Sequence, residues 1–249
     1  MFIFIAYSVT HSKTKAKTKS HSGGKIIMKK ILGIALILIF GSVAALSADT
    51  WTNITGLGWN LPMDETFTAN GYNNGEDIVL ENQTGAQAFY MGVHKSGFAV
   101  KGDYSLNYSG INHEMNNVPY IGINENVQIG AGFAPVHSEN VTIALFGMAG
   151  LDVSAFYSTS SWNDTTANKK ITAEYEEGQV AFMLGGNLTA MYTPTKHFSV
   201  FASCSVNRVL QGLYEFESDF SDVYADTEDS YITNPTLKII PTVGVCWKF

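Results

Sequence analysis

The chain has 249 residues, of which 45% are hydrophobic and 15% charged, and a formal net charge of −7. Residues 1–47 hold seven of the fifteen Lys and Arg and none of the twenty-two Asp and Glu, which leaves residues 48–249 at a formal −14. So acidic a segment does not bind polyanions through bulk electrostatics, which excludes a nucleic-acid partner, and about 200 residues with no Pro-rich linker suit one domain.

In chain order, residues 1–27 come first and fit neither a signal nor a domain. His11 to Lys25 is polar and basic, with Lys13, Lys15, Lys17 and Lys19 on every second residue, and is read as an extension upstream of a true start at Met28. Residues 28–47 read as a secretory signal peptide: Lys29 and Lys30, an apolar run from Ile31 to Phe40, then small residues to Ala45-Leu46-Ser47. Cleavage is expected after Ser47 or Ala48. The run is shorter than the roughly 20 residues of a membrane-spanning helix, and no later segment reaches that length. No cysteine precedes Cys204, so the cleavage site is not a lipoprotein site.

From Trp51 onward the pattern is strands and turns. The predicted strands are Trp51–Leu61, Gly85–His94, Phe98–Tyr108, Pro119–Phe133, Val141–Tyr157, Gln179–Thr193, Phe198–Leu213 and Thr236–Phe249, eight in all. Their connections alternate. Residues 95–97, 134–140 and 194–197 are short, whereas 62–84, 109–118, 158–178 and 214–235 are long and polar. An even strand number with short turns at one end and long loops at the other fits a transmembrane antiparallel up-and-down β-barrel.

The strand faces agree with that model. Phe98, Val100, Tyr104, Leu106 and Tyr108 share one face of the third strand, and Val180, Phe182, Leu184, Leu188, Ala190 and Tyr192 one face of the sixth. The opposite faces carry Lys101, Asp103, Ser105, Asn107, Asn126, Gln128, Thr142, Asp152, Gln179, Asn187 and Thr189. A soluble lipocalin-like barrel has apolar residues inside and charged ones outside, but parity alone does not say which face is inside. The aromatics decide for lipid: Trp51, Phe98, Phe133, Tyr192, Phe198 and Trp247 cluster at the short-turn ends, where a membrane-interface girdle is expected.

Three details strain the pattern. Glu125 and Arg208 fall on the lipid face. Eight strands are preferred, with ten as the alternative if Asn124-Glu125-Asn126 is a tight turn. The second strand has mixed parity, with Phe89, Met91 and Val93 against Ala88, Tyr90 and Gly92. Cys204 and Cys246 fall on opposite faces, which predicts two thiols rather than a disulfide.

The chain ends on Leu237 to Phe249, with Leu237, Ile239, Pro241, Val243, Val245, Trp247 and Phe249 on one face of a final strand. This segment resembles the C-terminal signal strand of bacterial outer-membrane β-barrels. The resemblance assigns Val243, Val245, Trp247 and Phe249 to recognition by the barrel-assembly machinery. The whole segment from residue 48 resembles the small eight-stranded outer-membrane proteins of the OmpX and OmpW type. That implies a bacterial outer-membrane location, a lipid surround and an interior filled by side chains, in which Lys101, Asp103, Asp152 and Lys238 pair.

Signals of chemistry are thin. The acidic cluster Glu215, Glu217, Asp219, Asp222, Asp226, Glu228 and Asp229 is expected to be a solvated loop, without the spacing of a calcium loop. His113-Glu114 near Ser109 matches no catalytic motif. His94, His137 and His197 are dispersed, and the Gly-x-Gly runs lie inside strands. No cofactor is expected. The leading expectation is a non-enzymatic surface barrel whose polar loops meet a host or surface ligand. The rival is OmpW-like transport of small apolar molecules, which predicts an apolar funnel at the loop end with Phe156, Leu213 and Phe220 as its candidates. A soluble periplasmic binder is the third.

Overall fold

The computed structural model describes residues 50–71, 77–112, 120–164, 169–220 and 227–249. An alternating sequence separates its apolar from its polar side chains only when extended. Every regular element among the described residues is accordingly a strand: β1 (Trp51–Asn70), β2 (Asp77–His94), β3 (Phe98–Asn112), β4 (Tyr120–His137), β5 (Val141–Asp164), β6 (Lys169–Tyr192), β7 (Phe198–Phe220), β8 (Thr227–Thr233) and β9 (Thr236–Lys248).

From β1 to β8 each strand pairs antiparallel with the next, and β1 also pairs with β8 and β9, so the sheet closes on itself. β8 and β9 are two segments of one eighth strand that lies between β7 and β1, broken at Asn234-Pro235. The barrel therefore has eight strands. The ten-strand alternative falls because Asn124, Glu125 and Asn126 lie within β4, opposite Asn107, Leu106 and Ser105. Closure reaches the last residue: Asn53 N donates to Phe249 O at 3.1 Å, and Phe249 N to Asn53 O at 2.9 Å.

At the short-turn end, residues 95–97, 138–140 and 193–197 connect the strands. Gly97 has φ of 89°, a left-handed conformation that favours glycine. The far end corrects the sequence expectation, since most of what reads as long loop is strand. β1 continues to Asn70, β5 to Asp164 and β7 to Phe220, while β2 starts at Asp77 and β6 at Lys169. Pro62 reads as a breaker but sits at an irregularity, with register shifts between Asn60 and Met63 and between Met63 and Glu65, where a residue lacking a donor is accommodated. Pairs such as Thr159 with Glu174 and Ser161 with Thr172 show no apolar outer face, while Ile171 and Ala173 beside them are buried inside.

Burial follows the expected parity. Lys101, Asp103, Ser105, Asn107, Asn126, Gln128, Thr142, Asp152, Gln179, Asn187 and Thr189 are all buried inside. Large apolar side chains face outward: Ile129 is 60%, Phe182 66% and Leu237 60% exposed. A lipocalin-like economy is thereby reversed, with polar groups inside and a greasy belt outside. In β2, Phe89, Met91 and Val93 are buried inside, which accounts for its mixed pattern.

Glu125 and Arg208 do face outward. Glu125 is folded against the wall and hydrogen-bonded to the Tyr104 side chain. Arg208 is exposed. It lies ten residues from Phe198 along β7, about 25 Å up a tilted strand, at the edge of an apolar band of about that height. Both cysteines are free, Cys246 buried and Cys204 partly so.

Candidate functional site

Three layers fill the interior. Nearest the short turns is an apolar layer that includes Phe89, Met91, Phe146, Met148, Met191 and Phe201. The Phe89 and Phe201 rings meet edge to face with centroids 4.8 Å apart. Gly56 is required here, since a Cβ on it would lie 2.3 Å from the Phe89 ring.

The middle layer is polar and spans the lumen. Lys238 of β9 reaches Glu65 Oε2 of β1 at 2.8 Å, Asp152 Oδ1 of β5 at 3.1 Å and Asn124 Oδ1 of β4 at 3.0 Å. Asn124 Nδ2 donates to Asp152 Oδ1 at 2.6 Å, so one ammonium ties three other strands together. Asn60 accepts from Thr242 at 2.7 Å and donates to Asn107 at 2.8 Å.

Lys101 of β3 makes the second bridge. It contacts Asp103 at 3.5 Å and donates to Asn187 Oδ1 of β6 at 2.9 Å, with its ammonium 5.4 Å from the Phe89 centroid. Cation–π attraction is strengthened where water is absent. Lys101, Asp103, Asp152 and Lys238, the four charges expected inside, are thus in the lumen, in two clusters. Glu65 was missed because Pro62 places it in a predicted loop. The alternation of Glu65, Phe67 and Ala69 was the available signal.

The third layer, at the hairpin end, is again apolar. Phe67, Ile78, Leu80, Phe156 and Tyr214 are buried together, with Tyr175, Phe216 and Tyr231 packed against them. The Tyr214 hydroxyl donates to the Glu177 carboxylate. Of the expected funnel residues, Phe156 lies in this layer, Leu213 faces outward, and the Phe220 side chain lies outside the described residues. Two apolar layers therefore seal a polar band, and the lumen is a packed interior rather than an open channel.

On the outer wall, Phe98, Phe133, Tyr192, Phe198 and Trp247 are exposed at the short-turn end and Trp51 is half-buried there. Trp247 and Phe198 stack edge to face at 6.3 Å, and Trp51 and Phe98 at 6.0 Å. Val243, Trp247 and Phe249 are exposed on the same wall, with Val245 half-buried between them. The fold is that of a small membrane-spanning β-barrel.

The described part of the acidic cluster is strand, not loop: Glu217 stands opposite both Glu176 and Glu228. These three and Glu215 line a cleft of about 230 Å³ over Gly178 on the outer face of the hairpins. Asp222 and Asp226 lie outside the described residues, as do His113 and Glu114. No group of three metal-ligating side chains is placed to hold an ion among the described residues. His94, His137 and His197 remain apart. The His137 ring bonds Thr142 at 3.0 Å and Thr52 at 3.3 Å, and His197 Nδ1 meets Lys248 O at 3.0 Å.

No protein-family model matches the chain, and no curated protein matches it in sequence. Solved structures similar to it include Ail, the attachment invasion locus protein of Yersinia pestis, at 14% identity over 80% of this chain and 99% of that one, with a TM-score of 0.43. The outer membrane protein OprG from Pseudomonas aeruginosa is 10% identical over 80% of this chain and 96% of its own, TM-score 0.49. The outer membrane protease OmpT from Escherichia coli is 9% identical over 82% and 99%, TM-score 0.43.

Proposed function

We propose that this chain is a non-enzymatic bacterial outer-membrane barrel, exported through a cleaved signal peptide, whose polar and acidic hairpins are displayed at the cell surface for adhesion, host contact or envelope integrity. One observation carries the reading: two apolar layers close the interior, while the β5–β6 and β7–β8 hairpins continue beyond the greasy belt as polar walls. A rigid scaffold that holds polar elements clear of the membrane is suited to recognition at its outer end. Trp51, Phe98, Phe133, Tyr192, Phe198 and Trp247 serve as the periplasmic interface girdle. Val243, Val245, Trp247 and Phe249 are read by the assembly machinery.

A second reading has its own support. The apolar layer of Phe67, Phe156 and Tyr214 stands at the outer end, where the transport reading needs apolar groups, and since all three are buried that reading requires the layer to open for its solute.

Cell fractionation with protease treatment of intact cells tests the first reading. The expected result is an outer-membrane protein that changes mobility on heating and is clipped only in the connections between β1 and β2, β3 and β4, β5 and β6 or β7 and β8. Recovery in the soluble periplasm would overturn it.

A further inference from the structure

The greasy residues of this barrel are sorted by kind as well as by face. Among the described residues, eight leucines stand exposed on the outer wall and one, Leu80, is buried, whereas four methionines, Met91, Met148, Met183 and Met191, are buried and none is exposed. Leucine and methionine fill similar volumes, so size does not explain the division. Three of those methionines, together with Cys246, belong to the apolar layer nearest the short turns. The belt takes the hydrocarbon side chain, and this end of the lumen takes the sulfur.

Two of the sulfurs touch. Cys246 Sγ of β9 lies 3.2 Å from Met191 Sδ of β6, a contact made inside the lumen past β7, which stands between those strands. Cys246 is free and fully buried, and Met191 is 4% exposed. Ser199, the cross-strand neighbour of Cys246, is hydrogen-bonded at 2.8 Å to Thr193, where β6 gives way to its short turn. Hydroxyl groups therefore lie between the mouth and the sulfurs.

A thiolate and a thioether are soft ligands, the pair that selects copper(I) among biological metals. Zinc and calcium take four or more ligands, but copper(I) is held by two, so the pair suffices although no group of three His, Cys, Asp or Glu is placed to hold an ion among the described residues. Charge makes the same selection. The layer around the pair is apolar, and Lys101, whose ammonium reaches the Phe89 ring of that layer, is already paired with Asp103. A monovalent ion on one thiolate is neutral overall, whereas a divalent ion there would leave an uncompensated buried charge. Two sulfurs each about 2.3 Å from a metal stand roughly 4 Å or more apart, so the pair must open by roughly 1 Å, which the flexible Met191 side chain allows.

We propose that Cys246 and Met191 form a copper(I) site at the short-turn end of the lumen. On binding, the Cys246 thiol gives its proton to water and a sulfur–metal bond takes its place, while Met191 supplies a lone pair and nothing is oxidised or reduced. The site rests on the closed barrel and not on the display role.

The test uses the full barrel with Cys204→Ser, refolded in lipid nanodiscs and kept reduced and free of oxygen, so that Cys246 is its sole thiol. Copper(I) is titrated against bicinchoninate, a coloured chelator. One copper(I) per barrel should be withheld from the chelator, and none after Cys246→Ser. Met191→Leu, which keeps the volume, should weaken binding roughly tenfold or more. Heat-shifted gel mobility establishes that each variant is folded. Copper left wholly with the chelator, or binding that Cys246→Ser or Met191→Leu leaves unchanged, would overturn the site.

Discussion

At the scale of the residue, the interior is decided by which buried polar groups find partners. Asp152→Ala removes an acceptor of both Lys238 and Asn124, and breaking a buried pair costs about 3 kcal/mol. Urea titration of the refolded barrel, followed by gel mobility, should show that loss. The glycines divide by face. A Cβ on Gly132 would lie 1.8 Å from Leu145 O, while one on Gly147 meets nothing nearer than 3.9 Å. Gly132→Ala should therefore destabilise by about 1–3 kcal/mol and Gly147→Ala by less than about 0.5 kcal/mol, read in the same titration. At the short-turn mouth, burial and then the Lys248 ammonium push the His137 imidazole below its usual range. Its neutral form is favoured in the folded barrel, so its contribution is complete above about pH 6.5 and declines as pH falls below that value. His137→Asn should flatten this part of a stability-against-pH curve.

At the scale of the element, the last strand does two things. Its outward face carries Val243, Val245, Trp247 and Phe249, and its end closes the ring through Phe249 and Asn53. Deleting Phe249 should slow assembly in cells more than it weakens the finished barrel, since two hydrogen bonds are lost from a long seam. Pulse-chase measurement of the heat-shifted form against its urea midpoint separates the two effects. The strands were legible because a greasy belt imposes a period of two, as in Val180 to Tyr192. Their continuation beyond the belt was not, because Thr159, Ser161, Thr172 and Glu174 have no apolar side to show. Pro62 misled for a local reason, as a bulge tolerates what a regular ladder does not.

At the scale of the whole molecule, a barrel closed by Phe89, Phe146 and Phe201 at one end and Phe67, Phe156 and Tyr214 at the other should be electrically silent. In planar bilayers the purified protein is expected to show no steady open level, and a stable conductance of porin size would contradict the packed interior. The display and transport readings then divide at the hairpin end: an apolar fluorescent ligand that binds the wild type and is lost in Phe156→Ser would favour transport.

The sequence by itself determined a barrel of eight strands with ten as its one rival, which face of most strands is greasy, and that Lys101, Asp103, Asp152 and Lys238 share the other face, because alternation is a property of neighbours along the chain. Tertiary structure alone decided that Lys238 meets Glu65 and Asp152, that Lys101 reaches Asn187, that apolar layers cap the polar band, and that the ladder between the first and last strands is interrupted between Asn60 and Ala69. Those contacts cross the lumen or the closing seam, and stagger between strands far apart in sequence sets them, which no local pattern encodes.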